Sequence, residues 1–269
     1  RCVVGFESRD VARISKSGFS RNEDLVTIED ALSITLSDKE HGSHKIGVTM
    51  RTKGEDSNLV LGFLYSEGII DSIEHIIGVE SDEDSVIVTL GEGSSFDPAV
   101  HCRPGTISSA CGICGRTTID DSLHLHSPEL DEHTRISKHS VARCLDTMKS
   151  EQRLFASTGG SHACASFDED GLLQRIFEDV GRHNAMDKLV GSYLSDRLIP
   201  ANRLASFVSG RASFELVQKS IRAGFPIMVA IGAPSTLAVD LAKEHGKTLI
   251  CFAKKESIAV YSGVRRVVQ

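Results

Sequence analysis

The sequence lacks several features that would place it in a specialised class of protein. No apolar run approaches the roughly 20 residues that a membrane-spanning helix needs, which argues against an integral membrane protein. Acidic residues outnumber basic ones: the chain has 37 Asp and Glu against 30 Lys and Arg. Its formal net charge is therefore −7. This balance argues against a general nucleic-acid binder. There is no internal repeat or low-complexity tract, and the 40% hydrophobic and 25% charged fractions are typical of a folded domain.

The N-terminal residues and the cysteines predict the compartment. Residues 1–6 show no long apolar stretch with a cleavage site, so no secretory signal is visible. The seven cysteines are an odd number, scattered through a chain long enough to bury a core without disulfides. We therefore expect a cytoplasmic protein, in which closely spaced cysteines tend to be metal ligands or reactive thiols.

The first half of the chain has a strand-rich pattern. Residues 32–36 and 45–50 alternate as half-buried strands do, and 78–80 with 85–90 predict a hairpin. An amphipathic helix is expected after Asp56 and before Gly68.

The second half alternates between strand and helix. A hairpin is expected around Asp170-Gly171, and the apolar spacing of 183–196 predicts a helix. The elements expected beyond it are strand 204–209, helix 213–223, strand 227–231, helix 235–245 and strand 248–253. This order favours a layered α/β domain with a largely parallel or mixed sheet. We expect an N-terminal α+β subdomain over 1–105, a cysteine loop over 106–135 and an α/β cofactor-binding domain over 136–269.

The pair Cys111 and Cys114, separated by two residues, is the sharpest chemical feature. Two sulfurs at this spacing bind metal, form a reversible disulfide, or let one thiol assist the other. Their Ser and Gly flanks disfavour simple core packing of the thiols. A second Cys or His pair suitable for a zinc knuckle is missing, and the polar, β-branched run 116–121 disfavours a thioredoxin-like helix.

Glycine-hinged polar segments recur where predicted strands meet predicted helices, at 158–162, 178–184, 209–213 and 232–236. Ligands of α/β folds bind at the carboxyl ends of strands, where free helix-start N–H groups favour anions. Arg182 and Arg211 have the geometry to bind phosphate. Taken singly, the serines of these turns (Ser213 and Ser235) are better read as helix N-caps. Taken together, the segments predict an anionic, nucleotide-like ligand.

Three other polar groups allow two interpretations each. His183 and Asp187, with Lys188 beside them, are either helix-surface hydrogen-bonding groups or a polar wall of a pocket. His162 is either a ligand contact or a core histidine. The lysines of 252–257 either lie in a solvated turn or meet phosphates.

Several of these motifs together resemble the formate dehydrogenase accessory sulfurtransferase family. The segments that carry the resemblance are 49–52 (TMRT), 62–70 (GFLYSEGII), 109–115 (SACGICG), 178–188 (EDVGRHNAMDK) and 209–217 (SGRASFELV). The match runs from about residue 30 to the C-terminus. The chain departs from the family pattern at Cys251, where glycine is usual, at Lys254, where arginine is common, and at Lys53, where proline is usual.

The resemblance implies a cytoplasmic sulfur carrier. Such a protein accepts sulfur from a cysteine desulfurase and passes it to the molybdenum cofactor that carries two molybdopterin guanine dinucleotides, which lets this cofactor activate formate dehydrogenase. The resemblance further implies a homodimer with a cytidine deaminase-like three-layer α/β/α sandwich, beside a smaller N-terminal strand-rich subdomain.

The resemblance also assigns residues. The persulfide falls on Cys111, and Cys114 matches the second cysteine. The cofactor segment falls on Phe252, Ala253, Lys254, Lys255, Glu256 and Ser257. With the glycine-hinged turns, the expected cofactor contacts also include Arg182, His183, Ser209, Gly210, Arg211, Ala233 and Ser235. No tightly bound metal is expected.

Two other functions compete with sulfur transfer. A zinc hydrolase related to nucleobase deaminases needs His-x-Glu and Pro-Cys-x-x-Cys segments. Here His162-Ala163-Cys164 lacks the glutamate, and Ala110 replaces the proline. A non-catalytic chaperone of the molybdenum cofactor would use the pocket motifs but not the cysteines.

Overall fold

The structure is a computed structural model that describes residues 5–102 and 127–268. Cys111 and Cys114 lie outside these residues, as does most of the predicted cysteine loop. The described residues form a mixed α/β fold with several sheets and seven α-helices. None of the described helices is both long and apolar enough to cross a bilayer.

The N-terminal elements form a ribbon and a four-stranded sheet. They are β1 (Phe6–Ser15), β2 (Gly18–Thr27), β3 (Asp30–Asp38), β4 (Gly42–Arg51), α1 (Asp56–Ser66), β5 (Ile76–Ser81), β6 (Ser85–Leu90) and α2 (Pro98–His101). The four-stranded sheet has the order β4-β3-β6-β5. Its β5–β6 pair is the predicted hairpin, and the two predicted strands β3 and β4 also pair antiparallel. Leu32, Ile34 and Leu36 of β3 point into the core as their alternation predicts.

The β1–β2 ribbon was not predicted as a separate unit. Its two strands pair over their full length, and both of its faces are largely exposed. The charged residues that interrupt its apolar positions hide the period-two pattern by which the other strands are recognised.

The C-terminal elements build the main sheet. They are β7 (Ile136–Ser137), α3 (Lys138–Glu151), α4 (Arg153–Thr158), β8 (His162–Phe167), β9 (Leu173–Asp179), α5 (Arg182–Ser195), β10 (Ala205–Val208), α6 (Phe214–Arg222), β11 (Ile227–Ala230), α7 (Thr236–Glu244), β12 (Thr248–Cys251), β13 (Ala259–Ser262) and β14 (Val267–Val268). The main sheet has the order β13-β12-β11-β10-β8-β9. Strands β10, β11 and β12 are parallel and the outer pairs are antiparallel, so the prediction of a mixed sheet is confirmed.

Both faces of the main sheet are covered. On β11, Ile227 and Val229 join the core cluster that contains α3, whereas Met228 and Ala230 join the cluster that contains α5, α6 and α7. Such two-sided burial explains why β10, β11 and β12 are mostly apolar and lack the alternation of a half-buried strand. The α/β class is confirmed. The finer assignment to a cytidine deaminase-like sandwich stays a prediction.

The two halves of the molecule meet where α1 crosses α5. A Cβ at Gly62 would overlap the carbonyl oxygen of Asp187 and lie 2.8 Å from the backbone nitrogen of Gly191. A Cβ at Gly191 would in turn overlap the carbonyl oxygen of Asn58. The helices therefore touch backbone to backbone, and no side chain larger than hydrogen fits at either glycine.

We expect Gly62→Ala to lower the free energy of unfolding by about 3 kcal/mol, the upper end of the usual cost of overpacking, because the obstructing atoms are backbone and cannot move aside as a side chain does. The matched control is Gly78→Ala, where an added Cβ meets nothing within 4 Å. Chemical denaturation followed by circular dichroism measures both. Equal stability of the two variants would show that the helix crossing is not close-packed.

Candidate functional site

The glycine-hinged turns meet at one edge of the main sheet. Strands β9, β10, β11 and β12 point the same way, so the segments that follow them emerge together. We call this the carboxyl edge and define it by residues 180–182, 209–213, 231–235 and 252–257. Helices α5, α6 and α7 all begin there. Three helix N-termini direct their positive dipole ends and unpaired N–H groups to this edge, which favours an anion.

Backbone hydrogen bonds join these segments. Gly232 N donates to Gly210 O at 2.9 Å, and Ala212 N donates to Ala233 O at 3.0 Å. Phe252 N donates to Gly232 O at 3.1 Å. The bonds link the segments that follow β10, β11 and β12, so the edge is an ordered surface rather than a set of independent loops.

Ser213 and Ser235 are helix N-caps. Their Oγ atoms accept hydrogen bonds from Leu216 N at 3.4 Å and from Ala238 N at 3.3 Å. The capping interpretation is therefore confirmed for both serines. Capping leaves the other first-turn N–H groups of α6 and α7 available to a ligand.

Arg182, His162 and Gly210 lie together at this edge. A Cβ at Gly210 would lie 3.6 Å from His162 Nδ1 and 4.0 Å from Arg182 Cδ. The Nε atom of Arg182 is buried and has no hydrogen-bond partner among the described residues. A buried donor without a partner costs free energy, and an anionic ligand oxygen would satisfy it.

The environment of His162 favours its neutral form. Burial is the main cause that lowers its pKa, and the positive charge of Arg182 lowers the pKa further. The imidazole of His162 therefore stays uncharged at neutral pH and adds no second positive charge beside Arg182.

His183 is buried beside the start of α6. Its Nε2 lies 3.1 Å from Glu215 Oε2 and 3.4 Å from Ser213 Oγ. Burial raises the pKa of Glu215, and the positive charge of Lys219 opposes this shift. The His183 side chain is therefore buried against Glu215 and Ser213 at the start of α6. It follows Arg182 of the carboxyl edge directly in sequence.

Asp187 and Lys188 are buried, at 3% and 2% exposure, so the interpretation of helix-surface hydrogen bonding is wrong for them. The Nζ of Lys219 donates to both carboxylate oxygens of Asp187, at 2.8 and 3.0 Å. The Nζ of Lys188 lies 2.7 Å from Asp179 Oδ2 and donates to Thr52 O at 2.9 Å. Helical period alone did not reveal this burial, because α1 covers the face of α5 that would otherwise meet water.

Asp179 joins the C-terminal motif to the N-terminal one. Its carboxylate accepts hydrogen bonds from Thr52 N at 3.1 Å, Gly181 N at 2.8 Å and Asn184 Nδ2 at 3.0 Å. Asn184 also donates to Met50 O at 2.7 Å. These contacts explain why segments 49–52 and 178–188 carry so many polar residues: they form one buried network that fixes the start of α5.

The segment 252–257 presents a mixed surface. Phe252 is 46% exposed and has a φ of 49°. Lys255 Nζ lies 2.7 Å from Asp146 Oδ1 of α3, so this lysine points away from the α6 and α7 N-termini. Lys254 N donates to Ser257 O at 2.9 Å, which closes the turn. The predicted cofactor roles of 252–257, Ser209, Arg211 and Ala233 stay predictions.

The described cysteines are poor nucleophiles. Cys144, Cys164 and Cys251 are buried free thiols, and Cys102 is half-buried. Burial raises the pKa of Cys144 and of Cys251 to about 12 and raises that of Cys164 as well. A thiol that remains protonated at neutral pH does not attack a persulfide.

Among residues 5–102 and 127–268, no three His, Cys, Asp or Glu side chains are grouped so that they could hold a metal ion. The expectation of no tightly bound metal stays a prediction, because Cys111 and Cys114 lie outside these ranges.

Comparison with known proteins identifies the family. The profile of the FdhD/NarQ family matches residues 27–268. The chain belongs to the FdhD/NarQ family. The resemblance inferred from the motifs is thereby confirmed.

Individual relatives agree with this membership. The sulfur carrier protein FdhD of Thermoplasma acidophilum is 40% identical over 99% of this chain and 95% of its own length. The sulfur carrier protein FdhD of Nocardia farcinica is 38% identical over 96% of this chain and 94% of its own. A crystal structure described as a formate dehydrogenase accessory protein, from Desulfotalea psychrophila, matches with a TM-score of 0.76 and 24% identity. It covers 98% of this chain and all of its own, so the two share the fold.

Replacing Arg182 should move the titration of His162. We expect Arg182→Gln to raise the pKa of His162 toward its ordinary value, because a neighbouring positive charge is removed while the burial remains. The imidazole resonances, assigned with His162→Gln, report this pKa in an NMR titration. Arg211→Gln is the control, since Arg211 is exposed on the same edge and contributes nothing to the shift of His162. An unchanged pKa of His162 in Arg182→Gln would show that the charge of Arg182 does not influence this histidine.

Proposed function

We propose that this FdhD/NarQ protein is a cytoplasmic sulfurtransferase that carries sulfur as a persulfide on Cys111. The donor is a cysteine desulfurase, and the acceptor is the molybdenum cofactor with two molybdopterin guanine dinucleotides that formate dehydrogenase requires. The observation that carries the proposal is the carboxyl edge, where three helix N-termini and the unpartnered Nε of Arg182 form a surface suited to the phosphates of that acceptor.

Loading is a thiolate exchange that needs no external electrons. The Cys111 thiolate attacks the outer sulfur of the donor persulfide, the donor S–S bond breaks, and the donor cysteine leaves as a thiolate. The outer sulfur keeps its oxidation level and is now bonded to Cys111.

Release uses the second cysteine. The Cys114 thiolate attacks Sγ of Cys111, the bond to the outer sulfur breaks, and that sulfur leaves as sulfide while a Cys111–Cys114 disulfide forms. The two electrons that reduce the outer sulfur come from the paired thiols. A thiol reductant must then restore the pair before the next cycle.

The environments of the other cysteines support the assignment of the persulfide to Cys111. The buried thiols of Cys144, Cys164 and Cys251 have raised pKa values, and burial raises that of Cys102 as well. Of the cysteines that remain, Cys111 and Cys114 have the spacing that the release step requires, whereas Cys2 stands alone.

The acceptor side depends on phosphate recognition. A guanine dinucleotide carries two linked phosphates, and the first-turn N–H groups of α5, α6 and α7 suit them. The exposed ring of Phe252, on the same edge, suits a flat base or pterin. An acidic protein can present a local positive site of this kind.

We expect Cys111→Ala to abolish persulfide loading, because the accepting sulfur is gone. Purified protein is incubated with a cysteine desulfurase and free cysteine, and peptide mass spectrometry locates the added sulfur atom. Cys102→Ser and Cys251→Ala are the controls and should still load at position 111.

Complementation in cells separates sulfur transfer from cofactor chaperoning. A strain that lacks its own sulfur carrier should recover formate dehydrogenase activity with the wild-type chain and not with Cys111→Ala. Full activity with Cys111→Ala would contradict sulfur transfer and favour a cofactor chaperone. Stoichiometric zinc together with deaminase activity would favour the hydrolase.

We expect Arg182→Gln to weaken nucleotide binding by about tenfold, the loss of one charge-assisted contact of about 1.4 kcal/mol. Guanosine diphosphate serves as the probe, since it supplies the base and diphosphate of the acceptor, and calorimetry measures its affinity. Arg265→Gln is the control, because Arg265 is exposed at the opposite edge of the sheet, beside Glu132. Equal affinity of Arg182→Gln and the wild-type chain for guanosine diphosphate would show that Arg182 does not bind the nucleotide.

A further inference from the structure

The β1–β2 ribbon is attached to the rest of the protein at its base. There, Thr27 Oγ1 lies 2.7 Å from Thr158 Oγ1. Beyond the base, the side-chain hydrogen bonds described for residues 7–25 all stay within the ribbon. At about 3.4 Å per residue, Phe19 lies about 27 Å along the strand from Thr27. The far end of the ribbon is therefore open to a partner outside the chain.

The charges of the ribbon are separated along its length. Residues 11–21, here called the ribbon tip, contain Arg13, Lys16 and Arg21 and no carboxylate. The rest of the ribbon contains four carboxylates and one arginine. The whole chain has a formal net charge of −7, so the ribbon tip differs from it in sign. A projecting end with only positive side chains suits a negatively charged surface.

The ribbon tip also exposes an apolar pair. Ile14 and Phe19 lie directly opposite each other, next to the turn at 15–18. They are 85% and 63% exposed. Single exposed apolar side chains are common on protein surfaces, but these two form a patch, and that patch lies at the end of the ribbon.

The positive side chains are not confined to one face of the ribbon tip. Arg21 shares the face of Phe19, and its guanidinium carbon lies 6.0 Å from the centre of that ring. Arg13 lies on the opposite face, where it pairs with Asp24 at 2.5 Å. Lys16 lies in the turn itself. A protein partner contacts one face or one edge of a ribbon, whereas lipid headgroups surround an inserted tip, so this distribution favours a lipid surface.

We propose that the ribbon tip is a peripheral membrane anchor for an anionic bilayer. In this arrangement Ile14 and Phe19 insert at the boundary between headgroups and acyl chains, a depth of about 5–10 Å. Arg13, Lys16 and Arg21 lie among the headgroup phosphates, which the long stem of a lysine or arginine allows.

Two carboxylates limit the contact to the ribbon tip. Asp10 and Glu23 oppose each other on the face of Phe19, four residues nearer the base. An anionic surface repels both of them, so the ribbon does not lie flat along its whole length. The open backbone edges of the ribbon then stay in the hydrated headgroup layer, where water satisfies their polar groups.

Vesicle binding tests the electrostatic part of the proposal. The full chain should sediment with vesicles of phosphatidylcholine and phosphatidylglycerol, and much less with vesicles of phosphatidylcholine alone. Lys16→Gln/Arg21→Gln should weaken binding by about 25-fold, since each cation close to an anionic bilayer contributes about fivefold. Lys149→Gln/Lys243→Gln is the control, because it removes two exposed lysines from α3 and α7 instead.

The apolar pair is tested in the same assay. Ile14→Ser/Phe19→Ser should weaken binding to the mixed vesicles by about a hundredfold, because both inserted side chains are lost. Ile77→Ser/Leu172→Ser is the control, since these residues are 64% and 62% exposed but lie outside the ribbon. Thermal melting of each variant checks its fold.

Fluorescence tests insertion independently. The chain contains no tryptophan, so Phe19→Trp supplies a single fluorophore at the ribbon tip. Its emission should move to shorter wavelength with the mixed vesicles and should be quenched by lipids with brominated acyl chains. Phe155→Trp is the control, because Phe155 is 46% exposed on α4 at the base of the ribbon and should show neither effect.

Three outcomes would overturn the proposal. The first is failure of the full chain to bind the mixed vesicles, and the second is equal binding to vesicles without phosphatidylglycerol. The third is binding that requires Lys16 and Arg21 but leaves the emission of Phe19→Trp unchanged. That result would show that the ribbon tip does not insert, and it would favour an acidic protein surface as the partner.

Discussion

The contact between α1 and α5 is the constraint on which the rest of the structure depends. Gly62 and Gly191 bring the two backbones together, so the face of α5 that would otherwise meet water is covered by the N-terminal half. Covering a helix on all sides buries whatever polar residues it carries, and each of them then needs a partner. Asp187 accepts hydrogen bonds from Lys219 and Ser66. Lys188 forms an ion pair with Asp179 and donates to the carbonyl oxygen of Thr52.

These buried pairs give the N-terminus of α5 a defined position. Asp179 holds Gly181 N and Asn184, immediately before and after Arg182 and His183, and so fixes where α5 starts. A buried ion pair is weak evidence for net stability, but loss of one partner leaves an uncompensated charge. The network is thus better explained as a means of positioning the carboxyl edge than as a source of stability. Preorganised donors bind an anion without first having to be ordered.

The proposed function divides the chemistry of the protein between two regions. In this proposal, the described part of the chain supplies an edge suited to an anion, and three of its four cysteines are buried. The proposal assigns the sulfur chemistry to Cys111 and Cys114, and it therefore assigns thiol reactivity and cofactor recognition to different segments. Membership of the FdhD/NarQ family fits this division, since relatives of matching length are named as sulfur carriers.

From the sequence alone came strands β8 to β12 and helices α5 to α7 of the C-terminal half, the family, and the convergence of the glycine-hinged segments. The sequence could predict them because period, capping serines such as Ser213 and turn pairs such as Asp170-Gly171 are local signals. Three facts required the folded structure: Asp187 and Lys188 are buried, Lys255 turns toward Asp146, and segments 49–52 and 178–188 form one network. Each of these facts depends on which element packs against which, and two residues more than a hundred positions apart carry no local sign that they will share a hydrogen bond.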